Sequence, residues 1–408
     1  MLLSLGLILS LGFLGGFLFS KIRIPGLVAM IIVGLIIGPY MLNLIDASIL
    51  NISAELRQIA LIIILTRSGF NLDLASLKKI GRPAILMSFI PATLEIIGIM
   101  IFSHLLLDLS LFEGILLGSV IAAVSPAVVS PRMIRLIEKG YGSVKAVPKL
   151  VLAGSSVDDI YVIILFYTFL GLVETNVFVA TNLVSIPLSI GLGIIFGLMM
   201  GLILSFILKK TTFPLVINII IILATSFLMV GVENILKPYV AVSSLLGIIV
   251  LAMTLLFFNS EKVKNISKGY DALWQVFEII LFVLVGATLN LNYALSNMGP
   301  SLLVLLAGLT FRAVGVGLSL LLTNYNYKER LFIMLAYIPK ATVQASIGGI
   351  ALSMNLASGQ TILTVSIIAI LITAPIGAFL IDFLAPRLLK KKEEDHLLIH
   401  GEPVSEQA

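Results

Sequence analysis

Apolar segments of about 20 residues, the length that a membrane-spanning helix needs, recur along the whole of this 408-residue sequence. With 59% hydrophobic and 12% charged residues, the chain carries about half the charge density of a soluble domain. The strands of a membrane β-barrel would appear as short alternating segments, and the sequence shows none. The pattern therefore predicts an all-α polytopic membrane protein.

Apolar runs between polar breaks predict thirteen transmembrane helices. The first run is followed, not preceded, by its positive charges, Lys21 and Arg23, which favours a retained span over a cleaved signal peptide. The predicted spans lie near residues 2–20, 25–44, 56–70, 83–106, 112–134, 147–171, 177–207, 214–232, 240–258, 270–290, 300–322, 329–353 and 358–385.

Every second connection between these spans is basic, and these connections together with the segment after the last span hold 21 of the 26 Lys and Arg residues. Because cytoplasmic loops collect Lys and Arg, we predict an outside amino terminus and a cytoplasmic carboxyl terminus in the cell inner (plasma) membrane. The same topology explains the basic net charge without nucleic-acid binding. The short tail, residues 386–408, is expected to be solvated.

The residue types exclude several kinds of chemistry. The absence of cysteine excludes disulfides, thiol catalysis and cysteine-based metal sites. The three histidines, His104, His396 and His400, lie in loops or in the tail, which argues against a zinc site. We expect no enzyme activity and no cofactor.

Six ionisable residues lie deep inside predicted spans. Each costs at least about 2.5–3.5 kcal/mol in hydrocarbon, so such residues usually face a cavity or a partner. They are Glu95, Asp158, Asp159, Glu278, Arg312 and Lys340.

Asp158 and Asp159 lie at the middle of the predicted span 147–171. Neighbouring helical residues point about 100° apart, so the two carboxylates cannot share one direction. Ser155 and Ser156, one turn earlier, add hydroxyl oxygens of the kind that a small hard cation such as Na⁺ or Li⁺ prefers. Desolvation and mutual repulsion favour proton uptake, so the pair can hold either a proton or a metal ion.

Arg312 and Lys340 leave an alternative open, because full neutralisation of the aspartates would make the pair purely structural. Glu95, in the sequence PATLEIIGIM, is also deep, and pairing is the arrangement of lowest cost for an embedded Glu and Arg. We therefore predict a structural Glu95–Arg312 salt bridge near the ion site in preference to direct ion ligation.

Glu278 lies two to three turns into its span on the predicted cytoplasmic side. It is a candidate for a pH-sensing or cation-attracting group in an inward funnel. A protonated Glu that hydrogen-bonds a neighbouring helix explains it equally well, and the sequence does not separate the two.

Two predicted spans contain sequences that disrupt helices. Span 112–134 contains AVSPAVVSP, and each of its prolines, Pro126 and Pro131, removes a backbone donor and crowds a carbonyl. Irregular backbone at membrane depth survives where it is buried or lines a cavity, and the half-helix ends then act on bound charge. We predict two broken helices, with the Lys340 ammonium between the half-helix ends. The second, span 329–353, contains YIPKATVQASIGG, with Pro339, Lys340, Thr342, Gln344, Gly348 and Gly349.

The order of these features repeats. Glu95 is followed 31 residues later by Pro126, and Arg312 is followed 27 residues later by Pro339, each in the next span. The matching spans are seven apart, an odd number, so the two units run in opposite directions. Inverted repeats with broken helices mark secondary transporters. The alternative is a pair of proline-kinked helices without repeat symmetry.

Three motifs in combination, SSVDDI, AVSPAVVSP and IPKATVQASIG, resemble the cation:proton antiporter superfamily, in its paired-aspartate sodium/proton branch. The resemblance covers almost the whole chain. It implies the sodium/proton antiporter fold, a homodimer, and crossing broken helices that carry Ser125–Pro126 and Pro339–Lys340. It also implies a dimerisation part (about 1–70 and 177–258) and a moving ion-binding core (about 83–171 and 270–385) within a transmembrane domain spanning 1–385.

The resemblance assigns roles to single residues. Asp159 matches the main ion and proton carrier, and Asp158 matches the assisting aspartate. Many bacterial electrogenic members have a lysine at the Arg312 position, whereas the Glu95–Arg312 combination resembles electroneutral branches. The resemblance therefore leaves the stoichiometry open.

We predict a secondary active Na⁺(Li⁺)/H⁺ antiporter that works by alternating access in pH homeostasis. K⁺/H⁺ exchange, or Na⁺-coupled transport of an organic anion on the same fold, is the alternative. An intramembrane aspartyl protease needs two aspartates from separate helices that share a proton, which adjacent residues on one helix cannot provide.

Overall fold

The computed structural model describes residues 1–70, 80–175, 180–236, 239–240 and 242–391. These residues form α-helices and connecting loops, with one isolated β-bridge between Tyr141 and Lys391. In chain order the helices are α1 (Leu2–Lys21), α2 (Gly26–Ile37), α3 (Ala47–Asn51), α4 (Ser53–Phe70), α5 (Arg82–Met87), α6 (Ile90–Leu106), α7 (Leu111–Ile121), α8 (Pro126–Glu138), α9 (Val147–Thr175), α10 (Ala180–Lys210), α11 (Leu215–Leu236), α12 (Ser244–Phe258), α13 (Ser260–Ala287), α14 (Leu291–Ser296), α15 (Met298–Ser319), α16 (Tyr327–Ala336), α17 (Thr342–Ile347), α18 (Ile350–Ser353) and α19 (Gly359–Leu388).

Nine stretches within the described residues are long and apolar enough to cross a membrane. Two more helices, α2 and α12, are apolar but shorter. The predicted spans 56–70 and 329–353 coincide with α4, which carries three charged residues, and with the short helices α16, α17 and α18. The structure is therefore an all-helical polytopic membrane protein, and the count of thirteen spans stays a prediction. The nine stretches are Leu2–Lys21, Arg82–Leu106, Leu111–Glu138, Val147–Gly171, Leu188–Lys210, Leu215–Leu236, Ser260–Ala287, Met298–Ser319 and Gly359–Leu388.

The helices pack in two sets. In one set, α13 packs against α2 and α4, and α12 packs against α4 and α10. In the other, α6 packs along α15 and α7, while α9 packs on α7 and α8 and α19 packs on α16. The helix α17 belongs to the second set but also contacts α4 and α13 of the first. This contact places the second helix break where the two sets meet.

The two interrupted helices are built alike. Each begins with a capping box, in which a side chain accepts from the backbone three residues later and a glutamate bonds back: Ser110 with Glu113 in α7, and Asn326 with Glu329 in α16. Each is preceded by a long helix that carries one of the predicted charges, Glu95 in α6 and Arg312 in α15. The capping boxes fix where each half-helix starts, and so how far it reaches before its break.

The first break lies at residues 122–125, between α7 and α8. Pro126 is the first residue of α8, where the missing N–H would have had no helical partner in any case. Pro131, by contrast, lies inside α8 without interrupting it. Pro126 therefore marks the boundary between the half-helices, and Pro131 does not add a second one.

Candidate ion-binding site

The two interrupted helices bind each other at their breaks. The backbone N–H of Ser125 donates to the carbonyl oxygen of Pro339 at 2.8 Å. Ser125 immediately precedes α8, and Thr342 begins α17. All of these backbone segments are buried. The crossing therefore brings the carbonyl end of α7 and the beginnings of α8 and α17 together inside the protein.

Side chains from two other elements cap the carbonyl end of α7. Gln344 Nε2 donates to the carbonyl oxygens of Ile121 at 3.0 Å and Ala123 at 2.9 Å. Arg312 Nη1 donates to the carbonyl oxygen of Ala122. The last carbonyls of a helix have no partner within the helix, so these donors allow α7 to end in the protein interior.

Lys340, in the second break, pairs with a carboxylate. Its Nζ donates to Glu95 Oε2 at 2.7 Å, and neither side chain is exposed. A full carboxylate charge attracts an ammonium more strongly than a carbonyl dipole does, so the described bond of Nζ goes to Glu95, and its position between the half-helix ends stays a prediction. The backbone N–H of Lys340 donates to Thr373 Oγ1 on α19 at 2.9 Å, which fixes the loop that carries it.

Arg312 joins two carboxylates from different helices. Its Nη1 lies 2.5 Å from Glu95 Oε2 on α6, and its Nη2 lies 2.8 Å from Asp158 Oδ2 on α9. Asp158 Oδ2 also accepts from the backbone N–H of Val124 in the first break, at 3.0 Å. The structure thus brings Glu95, Asp158, Arg312 and Lys340 into one connected network.

We call these four residues together with Asp159 the buried charge cluster. The two cations and the two bonded carboxylates balance to zero formal charge. Asp159 is the fifth member, and none of the described ion pairs of the cluster includes it. Its Oδ1 is buried without a hydrogen-bond partner among the described residues. Asp159 is 6% exposed, whereas Asp158 is not exposed at all. Glu95 and Asp158 also keep one unbonded oxygen each, but Asp159 is the carboxylate of the cluster without a described ion pair, and it is therefore available to a small cation or a proton.

The predicted serine ligands are only partly described. Ser155, one turn before Asp159, is buried and donates its hydroxyl to the carbonyl oxygen of Leu152 at 3.2 Å. Its oxygen keeps lone pairs for a ligand. Ser156 lies on α9, but its side chain is outside the described part of the chain.

Glu278 is partly exposed and lies on α13, outside the buried charge cluster. Arg67 on α4 is a positive charge near Glu278. Arg67 also pairs with Asp271 on α13. The geometry keeps Glu278 in a separate charged region between α4 and α13.

Sequence reasoning missed three groups that complete the site: the N–H of Val124, the carbonyl of Ala122 and the hydroxyl of Thr373. The first two are backbone groups, whose availability depends on where α7 stops. Thr373 is one polar residue among several on α19, and nothing in its local sequence distinguishes it.

Among the described residues, no group of three or more His, Cys, Asp or Glu side chains could hold a metal ion.

The chain matches the family model of the transmembrane sodium/hydrogen exchangers over residues 6–386. It is 32% identical to the mouse protein sodium/hydrogen exchanger 9B2, over 93% of this chain and 72% of the relative. It is 35% identical to mouse sodium/hydrogen exchanger 9B1, over 93% and 70% respectively.

A solved structure agrees with this similarity. The sodium proton antiporter MjNhaP1 from Methanocaldococcus jannaschii, at pH 8, superimposes with a TM-score of 0.81. The match covers 94% of this chain and 97% of that protein at 25% sequence identity.

Proposed function

The chain belongs to the sodium/hydrogen exchanger family, and we propose that it exchanges Na⁺ or Li⁺ for H⁺ at Asp159 by alternating access. The observation that carries the proposal is the difference between the two neighbouring aspartates. Asp158 Oδ2 is bonded to Arg312 and to the backbone of the first break, whereas Asp159 takes part in none of the described ion pairs of the cluster.

Competition at one carboxylate produces the exchange. Ionised Asp159 takes Na⁺, and protonated Asp159 cannot, so one site holds one or the other. A buried carboxylate that holds neither Na⁺ nor H⁺ has a high desolvation free energy. The core therefore reorients more readily when the site is occupied. The hydroxyl oxygen of Ser155 supplies a further contact for the ion, and the peptide dipoles at the ends of the crossed half-helices act on its charge.

The charge balance supports a stoichiometry of one Na⁺ for one H⁺. Glu95 and Asp158 are each bonded to a cation, so neither needs a proton to remain buried. Asp159 alone then changes its occupant during the cycle. The site has the same charge with Na⁺ bound as with H⁺ bound, and the exchange is electroneutral.

The wider architecture of the proposal follows from the family. The core (about 83–171 and 270–385) moves against the dimerisation part (about 1–70 and 177–258) of a homodimer in the inner (plasma) membrane, with the carboxyl terminus in the cytoplasm. The helix α13 (Ser260–Ala287) packs mainly with α2 and α4, so it serves as the connection between the two parts. Glu278 faces the cytoplasmic approach, where it attracts cations.

Proton flux in reconstituted liposomes tests the proposal. An internal fluorescent pH probe reports the response to added NaCl, LiCl or KCl for the wild type and for Asp159→Asn. We expect Na⁺ and Li⁺ to move protons in the wild type and neither to do so in the variant. Asp108→Asn serves as a matched control, because Asp108 is an exposed residue of the loop between α6 and α7.

Other outcomes would select other functions. A response to KCl that exceeds the response to NaCl would indicate K⁺/H⁺ exchange. No proton movement with any of the three cations would overturn antiport and leave Na⁺-coupled transport of an organic anion. An active Asp159→Asn variant would remove Asp159 from the role of carrier.

A further inference from the structure

Tyr337 contacts the buried charge cluster through the face of its ring, which lies against the guanidinium of Arg312. The guanidinium carbon of Arg312 lies 5.3 Å from the centroid of the Tyr337 ring, and both side chains are buried. A cation over an aromatic face is attracted by the ring quadrupole, most strongly where both are desolvated. Tyr337 is the C-cap residue that follows α16, so it stands at the start of the second break.

The other end of Tyr337 lies against α9. A Cβ atom at Gly154 would overlap the Tyr337 hydroxyl oxygen, so glycine at this position admits the ring. Gly154 precedes Asp158 by four residues and lies on the same face of α9. The hydroxyl itself is buried without a hydrogen-bond partner among the described residues. Its position is thus set by ring packing and not by hydrogen bonding.

Arg312 needs this support because its hydrogen bonds restrain only the edge of the guanidinium. Its terminal nitrogens reach Glu95, Asp158 and the carbonyl oxygen of Ala122, while its Nε has no partner among the described residues. Asp159, next to Asp158 on α9, offers a second carboxylate without a bonded counterion. A guanidinium free to tilt would pair with Asp159 in competition with Na⁺.

We infer that Tyr337 is a positioning residue whose ring face holds Arg312 on Asp158 and so keeps Asp159 free for ion exchange. The inference rests on the proposed function, and it adds the residue that decides which aspartate is neutralised. The ring is the active part, and the hydroxyl is dispensable.

The first test compares Tyr337→Phe with Tyr337→Leu in the liposome assay. We expect Phe to keep the wild-type apparent KM for Na⁺ within about twofold and Leu to raise it about tenfold, because only Phe keeps the ring quadrupole. The pH profile of the Leu variant should move to lower pH, since pairing with Arg312 would hold Asp159 ionised. The groups that face Arg312 in this comparison, Glu95, Asp158 and Lys340, remain unchanged.

A second test removes charge density from the ring without changing its shape. Phenylalanine with one, two or three fluorine atoms at position 337 should raise the apparent KM stepwise, about tenfold in total, with little change in maximal rate. The matched control is the same series at Tyr270, a buried tyrosine that packs edge-on against Phe70. That series should leave the KM unchanged.

If Tyr337→Phe raises the apparent KM for Na⁺ as much as Tyr337→Leu does, the hydroxyl is required and the inference is wrong. If neither Leu nor fluorination changes the KM, the ring does not position Arg312. The fluorinated series decides the matter should Leu fail to fold. The Na⁺-dependent rise in Tm of the purified protein gives a second readout of affinity that needs no transport. A wild type that binds Na⁺ without moving protons would overturn the proposed antiport while leaving the Tyr337 comparison measurable.

Discussion

The Nζ atom of Lys340 lies 2.7 Å from Oε2 of Glu95, and the same carboxylate oxygen lies 2.5 Å from Arg312. One carboxylate on α6 thus bonds two cations that lie 217 and 245 residues further along the chain. Because Arg312 also bonds Asp158, the state of Glu95 decides the net charge next to the two aspartates.

Glu95→Gln should leave one uncompensated positive charge beside Asp159 and weaken Na⁺ binding. The buried pair is broken as well, which costs about 3–5 kcal/mol when one partner is removed. We expect a large increase in apparent KM for Na⁺ and a lower Tm. Liposome exchange and thermal unfolding of the purified variant measure the two effects.

The charge argument can be separated from the packing argument by a second substitution. Glu95→Gln combined with Lys340→Met returns the formal charge of the bonded residues to zero while keeping similar side-chain volumes. The double variant should recover a lower KM than Glu95→Gln alone. If the KM does not improve, net charge at the cluster does not govern cation binding.

The rate of exchange should not depend on membrane voltage. In the proposed cycle Asp159 carries one Na⁺ in one direction and one H⁺ in the other, so no net charge crosses. Imposing an inside-negative potential with a gradient of the permeant anion thiocyanate should leave the initial rate unchanged. An accelerated rate would show that a second proton moves, and Asp158 or Lys340 would become its carrier.

Substitution of Asp382 should have little effect. Asp382 pairs with Arg132 at 3.2 Å, but its side chain is 38% exposed, so water competes for both charges. Exposed pairs contribute about 0.2–1 kcal/mol, and we expect Asp382→Asn to lower the free energy of unfolding by no more than that. Denaturation of the purified variant beside wild type checks the value. Loss of Na⁺/H⁺ exchange in a folded Asp382→Asn variant would assign this pair a role beyond stability.

The broad fold could be predicted from the sequence because membrane helices obey simple rules of length and charge. The apolar runs and the basic connections identify an all-helical polytopic protein, and the interruption before Pro126 follows from the chemistry of proline. The embedded charges are equally visible, because an ionisable residue in an apolar run needs a reason to be there.

The partners within the site could not be predicted in the same way. The sequence placed Lys340 between the half-helix ends but did not predict its bond to Glu95, which is 245 residues away in sequence. Val124 and Ala122 take part through backbone groups, which every residue possesses, so only the course of the chain reveals them. Tyr337 resembles an ordinary core aromatic until the position of Arg312 is known.

Gln344→Ala tests how the first half-helix is able to end inside the protein. The side-chain amide donates to two carbonyl oxygens, Ile121 at 3.0 Å and Ala123 at 2.9 Å, and Gln344 is almost fully buried. Alanine would leave both acceptors short of a donor, and each unsatisfied buried group costs about 1–3 kcal/mol. We therefore expect a loss of about 2–6 kcal/mol in unfolding free energy, together with slower exchange, because the N–H of Val124 would no longer be held against Asp158. The matched control is Gln360→Ala on α19, whose side-chain nitrogen has no partner among the described residues and whose loss should cost little. Equal destabilisation by the two substitutions would mean that the amide of Gln344 does not cap α7.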